Sequence, residues 1–319
     1  MMEWGTAVNL LMAALVVLFA ALALLTRDLF KASIFFICFG LLMSLCWVRL
    51  GAIDVAIAEA IIGAGITGAL CLIALKSLPT HAEPGKDRRH PAFRLSKGAV
   101  MMVLTTPFVA LLSYFIVLEF SQSGGLYTLT QGSLAQTGVT NPVTAVLVNY
   151  RGYDTLLELA VLILALMVIK SSRDPSHLPP EVIAAPVNTP LLRSLVTFVV
   201  PLSIMIAGYL LWIGSTQPGG AFQAGALLAS AGLLVRLSRR DLDHWLLRDV
   251  LSVPVTLGWL VFGGVAVGML FAEGQLLRYP VSQAGGWILL IEFFATLSIS
   301  VLLLQLLNEH IHSPGGKKH

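Results

Sequence analysis

Apolar runs of about 20 residues, the length a helix needs to cross a hydrocarbon layer, recur along the whole chain and alternate with short polar stretches. This pattern predicts helices at 4–25, 31–49, 53–76, 98–119, 153–170, 191–213, 219–237, 247–271 and 285–308. The class is therefore all-α, a polytopic integral membrane protein of about nine transmembrane helices.

The basic residues fall unevenly between those helices. The 76–97 loop carries Lys76, Lys86, Arg88, Arg89, Arg94 and Lys97. The 170–193 linker carries Lys170, Arg173 and Arg193, and the 236–249 loop carries Arg236, Arg239, Arg240 and Arg248. Arg27 and Lys31 flank the first connection, and the tail ends Lys317-Lys318. By contrast 120–141 and 214–220 hold no basic residue, and 272–284 holds only Arg278. Cytoplasmic loops are the ones enriched in Lys and Arg. Nine spans with the N-terminus outside and the C-terminus cytoplasmic satisfy the alternation, and adding or removing one helix breaks it.

Composition excludes a soluble domain. Of 319 residues 57% are hydrophobic and 12% charged, with mean hydropathy +0.86. A soluble domain carries roughly twice that charged fraction. Met1-Met2-Glu3-Trp4 lacks a basic region, so the first helix does not read as a cleavable signal. Cys38, Cys46 and Cys71 lie inside apolar runs without CxxC spacing, as small buried side chains do. All seven histidines fall in polar loops or the tail, which leaves a membrane haem without ligands. No cofactor and no metal site is expected. No nucleotide loop, metal cluster or matched nucleophile and base marks an enzyme, and nothing points to nucleic acid.

Two polar linkers divide the chain: 77–97, and 171–190 with five prolines. They read as extended connectors between blocks of three, two and four helices.

Acids inside apolar runs are functional candidates, because one near the bilayer centre costs about 2.5–3.5 kcal/mol on insertion scales. Asp54 and Glu59 open the third helix, and Glu59 lies about 9 Å along it at 1.5 Å per residue. Asp54 reads either as an N-terminal cap or as a polar group of the pathway. Gly63, Gly65, Gly68 and their small neighbours let another helix approach closely, and the same glycines also permit a π-bulge beside Glu59. In the block Asn141–Glu158, Arg151-Gly152 interrupts the apolar run. Thr155-x-x-Glu158 matches a capping box, yet 156–170 is only about 22 Å long as a helix, which puts Glu158 at membrane depth. Glu292, in the ninth helix beyond Gly285-Gly286, is a further candidate. Gln223 is placed to bond another helix, and Gln217-Pro218-Gly219-Gly220 forms a tight turn.

At these residues the chain resembles a known family. Asp54-Val-Ala-Ile-Ala-Glu59-Ala-Ile-Ile-Gly63-Ala-Gly65 is similar to the "PDVAxTEAxxGAG" stretch of the C-terminal small domain of the Mrp antiporter A subunit, a separate D subunit in membrane-bound hydrogenases. Arg151-Gly152-Tyr-Asp154-Thr155-Leu-Leu-Glu158 resembles the "FRGxDTxxE" stretch of the unit that follows it, the hydrogenase E unit. Gln217-Pro218-Gly219-Gly220-Ala-Phe222-Gln-Ala-Gly225 resembles the "APGGGFxGG" turn of the Mrp B subunit. Ile53 replaces the family's proline and Ala221 a common glycine.

The resemblance implies a fusion of a three-helix D-type unit at 1–80, a two-helix E-type unit at 95–172 and a four-helix B-type unit at 190–310. It implies membership of a multisubunit Na+ or H+ translocating complex of a prokaryotic inner membrane. The partners implied are large antiporter-like subunits, which this chain does not contain, and a peripheral redox module if the complex is redox-driven. The ion-pathway residues implied are Glu59 and Glu158, supported by Asp54, Asp154 and Arg151, with Pro218, Gly219, Gly220 and Gly152 as turn and packing positions. A self-contained secondary transporter and a structural scaffold are the competing readings.

Overall fold

The computed structural model describes residues 2–77, 102–103, 105–115, 118, 127–171, 190–238 and 252–311. The predicted linkers beyond Ser77 and Ser171, most of the 236–249 loop, much of the predicted 98–119 helix and the basic tail lie outside them. All regular structure among the described residues is helical. In chain order the α-helices are α1 (Met2–Leu25), α2 (Leu29–Arg49), α3 (Ile53–Ala58), α4 (Thr67–Ser77), α5 (Thr105–Phe115), α6 (Tyr127–Ser133), α7 (Pro142–Thr144), α8 (Gly152–Ser171), α9 (Pro190–Ile213), α10 (Ala221–Ser238), α11 (Ser252–Glu273) and α12 (Ala284–Ile311). Glu59–Ile66, between α3 and α4, and Ala145–Tyr150, between α7 and α8, are π-helical.

Seven helical stretches among the described residues are long and apolar enough to cross a membrane: Gly5–Leu25, Leu29–Arg49, Ile53–Leu72, Gly152–Ser171, Ser194–Ile213, Pro254–Glu273 and Ala284–Leu307. Thr105–Phe115 and Ala221–Arg236 are shorter apolar helices. The nine predicted spans thus stand as seven full-length candidates and two short ones.

The chain forms two compact units. One comprises Met1–Ser77 with Leu134–His319, and the other is Leu78–Ser133. In the smaller unit α5 is apolar on its exposed surface, and α6 closes with the Ser133 hydroxyl donating to the Leu129 carbonyl at 2.9 Å.

In the larger unit local chemistry sets the helix ends. The Asp28 carboxylate caps α2 by accepting from the Phe30 and Lys31 amides at 2.9 and 3.2 Å, which satisfies donors that have no partner within the helix. Gly51, at φ +77°, takes the left-handed position that ends α2. Helix α12 packs on both α10 and α11, and half of its best spanning window is buried, against none for α1. Its inward stripe, Ala284, Ile288, Ile291, Ala295 and Ile299, meets Phe262 and Ala266 of α11 and Val148 and Leu159 from the α8 side. Small residues make the close approaches: Gly225 of α10 faces Ile299, and Gly258 of α11 faces Ser298 and the Phe294 carbonyl. In lipid such packing, not the hydrophobic effect, is what favours helix association.

The third predicted helix is one continuous rod with a π segment in its middle. Both open readings of its glycines hold together. Gly40 of α2 lies against Ala64, and Gly68 against Ile37, while the backbone widens to π geometry from Glu59 onward. The three cysteines are half-buried free thiols.

Candidate functional site

A cleft of about 70 Å³ opens inside the larger unit, between α7, the following π segment, α8, α10, α11 and α12. Most of its wall is apolar. The polar lining comes from Thr144, Thr155, Glu158, Gln223, Glu292 and the backbone of Gly219 and Gly220. The two acids stand differently. Glu158 is exposed, whereas Glu292 is 6% exposed and its Oε2 has no hydrogen-bond partner among the described residues.

The walls of the Glu292 niche are glycine. A Cβ on Gly220 would lie 3.2 Å from Glu292 Oε1, and one on Gly214 would lie 3.2 Å from Oε2. Gln223 Oε1 comes within 3.8 Å of the same point on Gly220. Gly220 stands at φ +114°, a conformation that side chains resist. Thr296, one turn beyond Glu292, donates its hydroxyl to the Glu292 carbonyl at 2.7 Å.

The turn between α9 and α10 carries these glycines and is held from two directions. Asn141 Nδ2 donates to the Gly214 and Gln217 carbonyls at 3.1 and 2.9 Å, and the Thr144 hydroxyl donates to the Gly214 carbonyl at 2.5 Å. The Thr140 and Asn141 amides donate to the Ser215 carbonyl at 3.1 Å. From the other side the Gly219 amide donates to Asp54 Oδ1 at 2.8 Å, and Gln223 Nε2 to the Asp54 carbonyl at 3.4 Å. Glu292 lies within Coulombic reach of Asp54. The predicted interhelical bond of Gln223 is therefore present.

Asp54 is not the cap of α3. Ala52 occupies that position with no side-chain bond, and Asp54 sits in the first turn with its carboxylate turned to Gly219. The capping box at Thr155 and Glu158 does not form either. Helix α8 begins at Gly152, so Thr155 is already inside it and its hydroxyl donates back to the Leu147 carbonyl at 2.6 Å. That bond reaches back to the π segment.

The remaining predicted residues lie apart from the cleft. Glu59 is half-buried at the start of the first π segment, its carboxylate folded over Gly63 so closely that a Cβ there would collide with Oε1. Arg151 and Asp154 form an exposed ion pair at 2.5 Å. Gly152 is buried, and a Cβ there would strike Leu277. Leu277 itself is buried at φ +59°. Beside it the Tyr279 hydroxyl donates to the Val148 carbonyl at 3.4 Å, and burial pushes its phenol up, which keeps it a neutral donor.

Sequence reasoning missed Asn141 and Thr144 as holders of the turn. The available signal was a helix-starting Asn-Pro pair followed by a threonine in an otherwise apolar stretch. It also undervalued Glu292, whose buried polar neighbour Thr296 lies one turn on along the same face of α12.

Three family models match the chain in series. MbhD, the D subunit of MBH, matches residues 14–80; MbhE, the E subunit of MBH, matches 93–187; and MnhB, a domain related to the MnhB subunit of Na+/H+ antiporter, matches 191–307. Among solved structures the chain is similar to a chain of the Mrp complex from a Dietzia species, with TM-score 0.73 and 22% identity over 97% of this chain and 35% of that one. It is also similar to a chain of the membrane-bound sulfane sulfur reductase, an archaeal respiratory membrane complex, with TM-score 0.51 and 20% identity over 68% of this chain and 100% of that one. At these identities the likeness is one of fold. The chain spans about a third of the length of the Mrp-complex relative. No curated protein matches it.

Proposed function

We propose, from the premise that this chain is an Mrp/MBH-type fusion, that it supplies part of a buried cation or proton pathway in an antiporter-type membrane complex and couples neighbouring subunits. The observation that carries the proposal is the cleft shared by Glu158 and Glu292, with Asp54 braced behind it on Gly219. A carboxylate at membrane depth costs enough that it marks an ion route by default; here Asp54 and Glu292 meet at one turn and Glu158 lines the same cleft.

The units of the proposal are 1–80, 95–172 and 190–310, and the three family matches support that division. The span count proposed is nine, with α5 and α10 as short spans, the N-terminus outside and the C-terminus cytoplasmic in a prokaryotic inner membrane. In that arrangement α3, α8, α10 and α12 all begin at the outer face, so the cleft belongs to the outer half of the bilayer. Glu59 forms a second polar point on the π segment, and Arg151 with Asp154 supports the break before α8. The partners are large antiporter-like subunits, with a peripheral redox module where the complex is redox-driven. The chain itself is not an enzyme, and the ions are Na+ or H+.

The test is cation transport in membrane vesicles bearing the tagged complex. Glu158→Gln and Glu59→Gln should each abolish transport while the partner subunits still copurify. Transport retained in both variants would leave a scaffold. A lone chain that moves cations in liposomes would mean a self-contained transporter.

A further inference from the structure

We propose that the buried end of the cleft is a binding site for a small monovalent cation, with Glu292 as its charged ligand and Gln223 as its neutral one. The inference rests on the pathway reading above and adds to it the place where the ion stops.

The geometry is that of a built niche. Glu292 lines the cleft while only 6% exposed, its Oε1 lies on the Gly220 side, and its Oε2 has no hydrogen-bond partner among the described residues. A carboxylate so placed is tolerated only as the neutral acid or beside a positive charge, because an uncompensated buried charge loses far more hydration than it regains. Among the described residues no Lys or Arg side chain lines the cleft. The site is then filled either by the acid's own proton or by a bound cation. The Gly214 and Gly220 faces, which carry no Cβ, keep side chains out of the space around both carboxylate oxygens, and the Gln223 Oε1 converges on the same Gly220 face. Glu158 stands at the exposed wall of the same cleft, where it faces an ion on its way to Glu292. Apolar residues such as Phe262, Ile291 and Ile299 complete the wall. That leaves room for a stripped ion or a proton and little for a hydrated divalent one.

Sodium and a proton share this chemistry, and carbodiimide labelling separates them. N,N′-dicyclohexylcarbodiimide attacks a protonated carboxyl in an apolar setting: the acid proton passes to a carbodiimide nitrogen while the carboxylate oxygen adds to the central carbon. The probe is applied to the purified whole complex in Na+-free choline buffer, and labelled peptides are read by mass spectrometry. Labelling of Glu292 is expected, and NaCl, unlike choline chloride, should suppress it if the ion is Na+. If the ion is a proton, labelling falls as pH rises and ignores Na+. Gln223→Leu should weaken the Na+ protection and leave the labelling itself in place. Absence of label on Glu292 at every pH, or label indifferent to both Na+ and pH, overturns the site. Loss of transport in Glu158→Gln with a Glu292 whose labelling responds to neither Na+ nor pH keeps the pathway and removes this site. A protected Glu292 with transport intact in Glu158→Gln does the reverse.

Discussion

Asp54 and Gly219 stand 165 positions apart in the chain and share one buried hydrogen bond, in which the Gly219 amide donates to the Asp54 carboxylate at 2.8 Å. Its loss would leave a buried amide without an acceptor, which costs about 1–3 kcal/mol. Asp54→Ala should therefore lower the thermal stability of the detergent-solubilised complex by that amount. Asp54→Asn keeps an acceptor oxygen and should change stability by less than about 1 kcal/mol. Equal melting temperatures for the Asp54→Ala complex and the unaltered one would show that the bond contributes nothing.

Gly63→Ala places a methyl group where the Glu59 carboxylate lies. Alanine is the better helix former by about 1 kcal/mol, and the obstructing atoms are the far end of a flexible side chain. The variant should fold and assemble with stability within about 1 kcal/mol of the original, yet move the carboxylate. Transport in vesicles should fall several-fold. Unchanged transport would detach ion movement from the position of Glu59 over the π segment.

Arg151 and Asp154 are more than half exposed, at 70% and 53%. Exposed ion pairs are worth about 0–1 kcal/mol. A double-mutant cycle with Arg151→Ala and Asp154→Ala should return a coupling energy below about 1 kcal/mol, and raising the salt should erase it. A larger coupling would mean that a partner subunit covers the pair.

Seven spans and nine spans both put the two termini on opposite sides of the membrane, so labelling the termini does not separate them. The 172–189 linker does. With nine spans it is cytoplasmic, and with seven, α5 having failed to cross, it is external. In a background with Cys38, Cys46 and Cys71 replaced by serine, Ser176→Cys should be protected from a membrane-impermeant maleimide in intact cells and labelled after permeabilisation. Labelling in intact cells would establish seven.

The helices were legible because their cause is local: an apolar run of sufficient length is a span wherever it lies. The acids Asp54, Glu59 and Glu158 were legible as single anomalies within such runs. What each one touches was not. The cap at Asp54 failed because whether that carboxylate satisfies its own helix or the Gly219 amide is decided by α10, far along the chain. The capping box at Thr155 failed because α8 starts one turn earlier, behind the π segment Ala145–Tyr150. A π turn inserts one residue per turn without any marker in the hydrophobic pattern. Glu292 looked ordinary near a helix start, and only the packing of α12 against α10 and the glycine turn makes it the most enclosed of the described acids.

The turn from Gly214 to Gly220 is bonded to Asn141 and Thr144 on one side and to Asp54 on the other, so it is where the D-type, E-type and B-type stretches all meet. Where such units are separate polypeptides, three chains must find one another before this junction exists. Joined in one chain, they meet at an effective concentration in the millimolar range for short flexible tethers, and their ratio is fixed at synthesis. Selection on the turn is then freed from holding subunits together and can act on the placement of two glycines against one carboxylate.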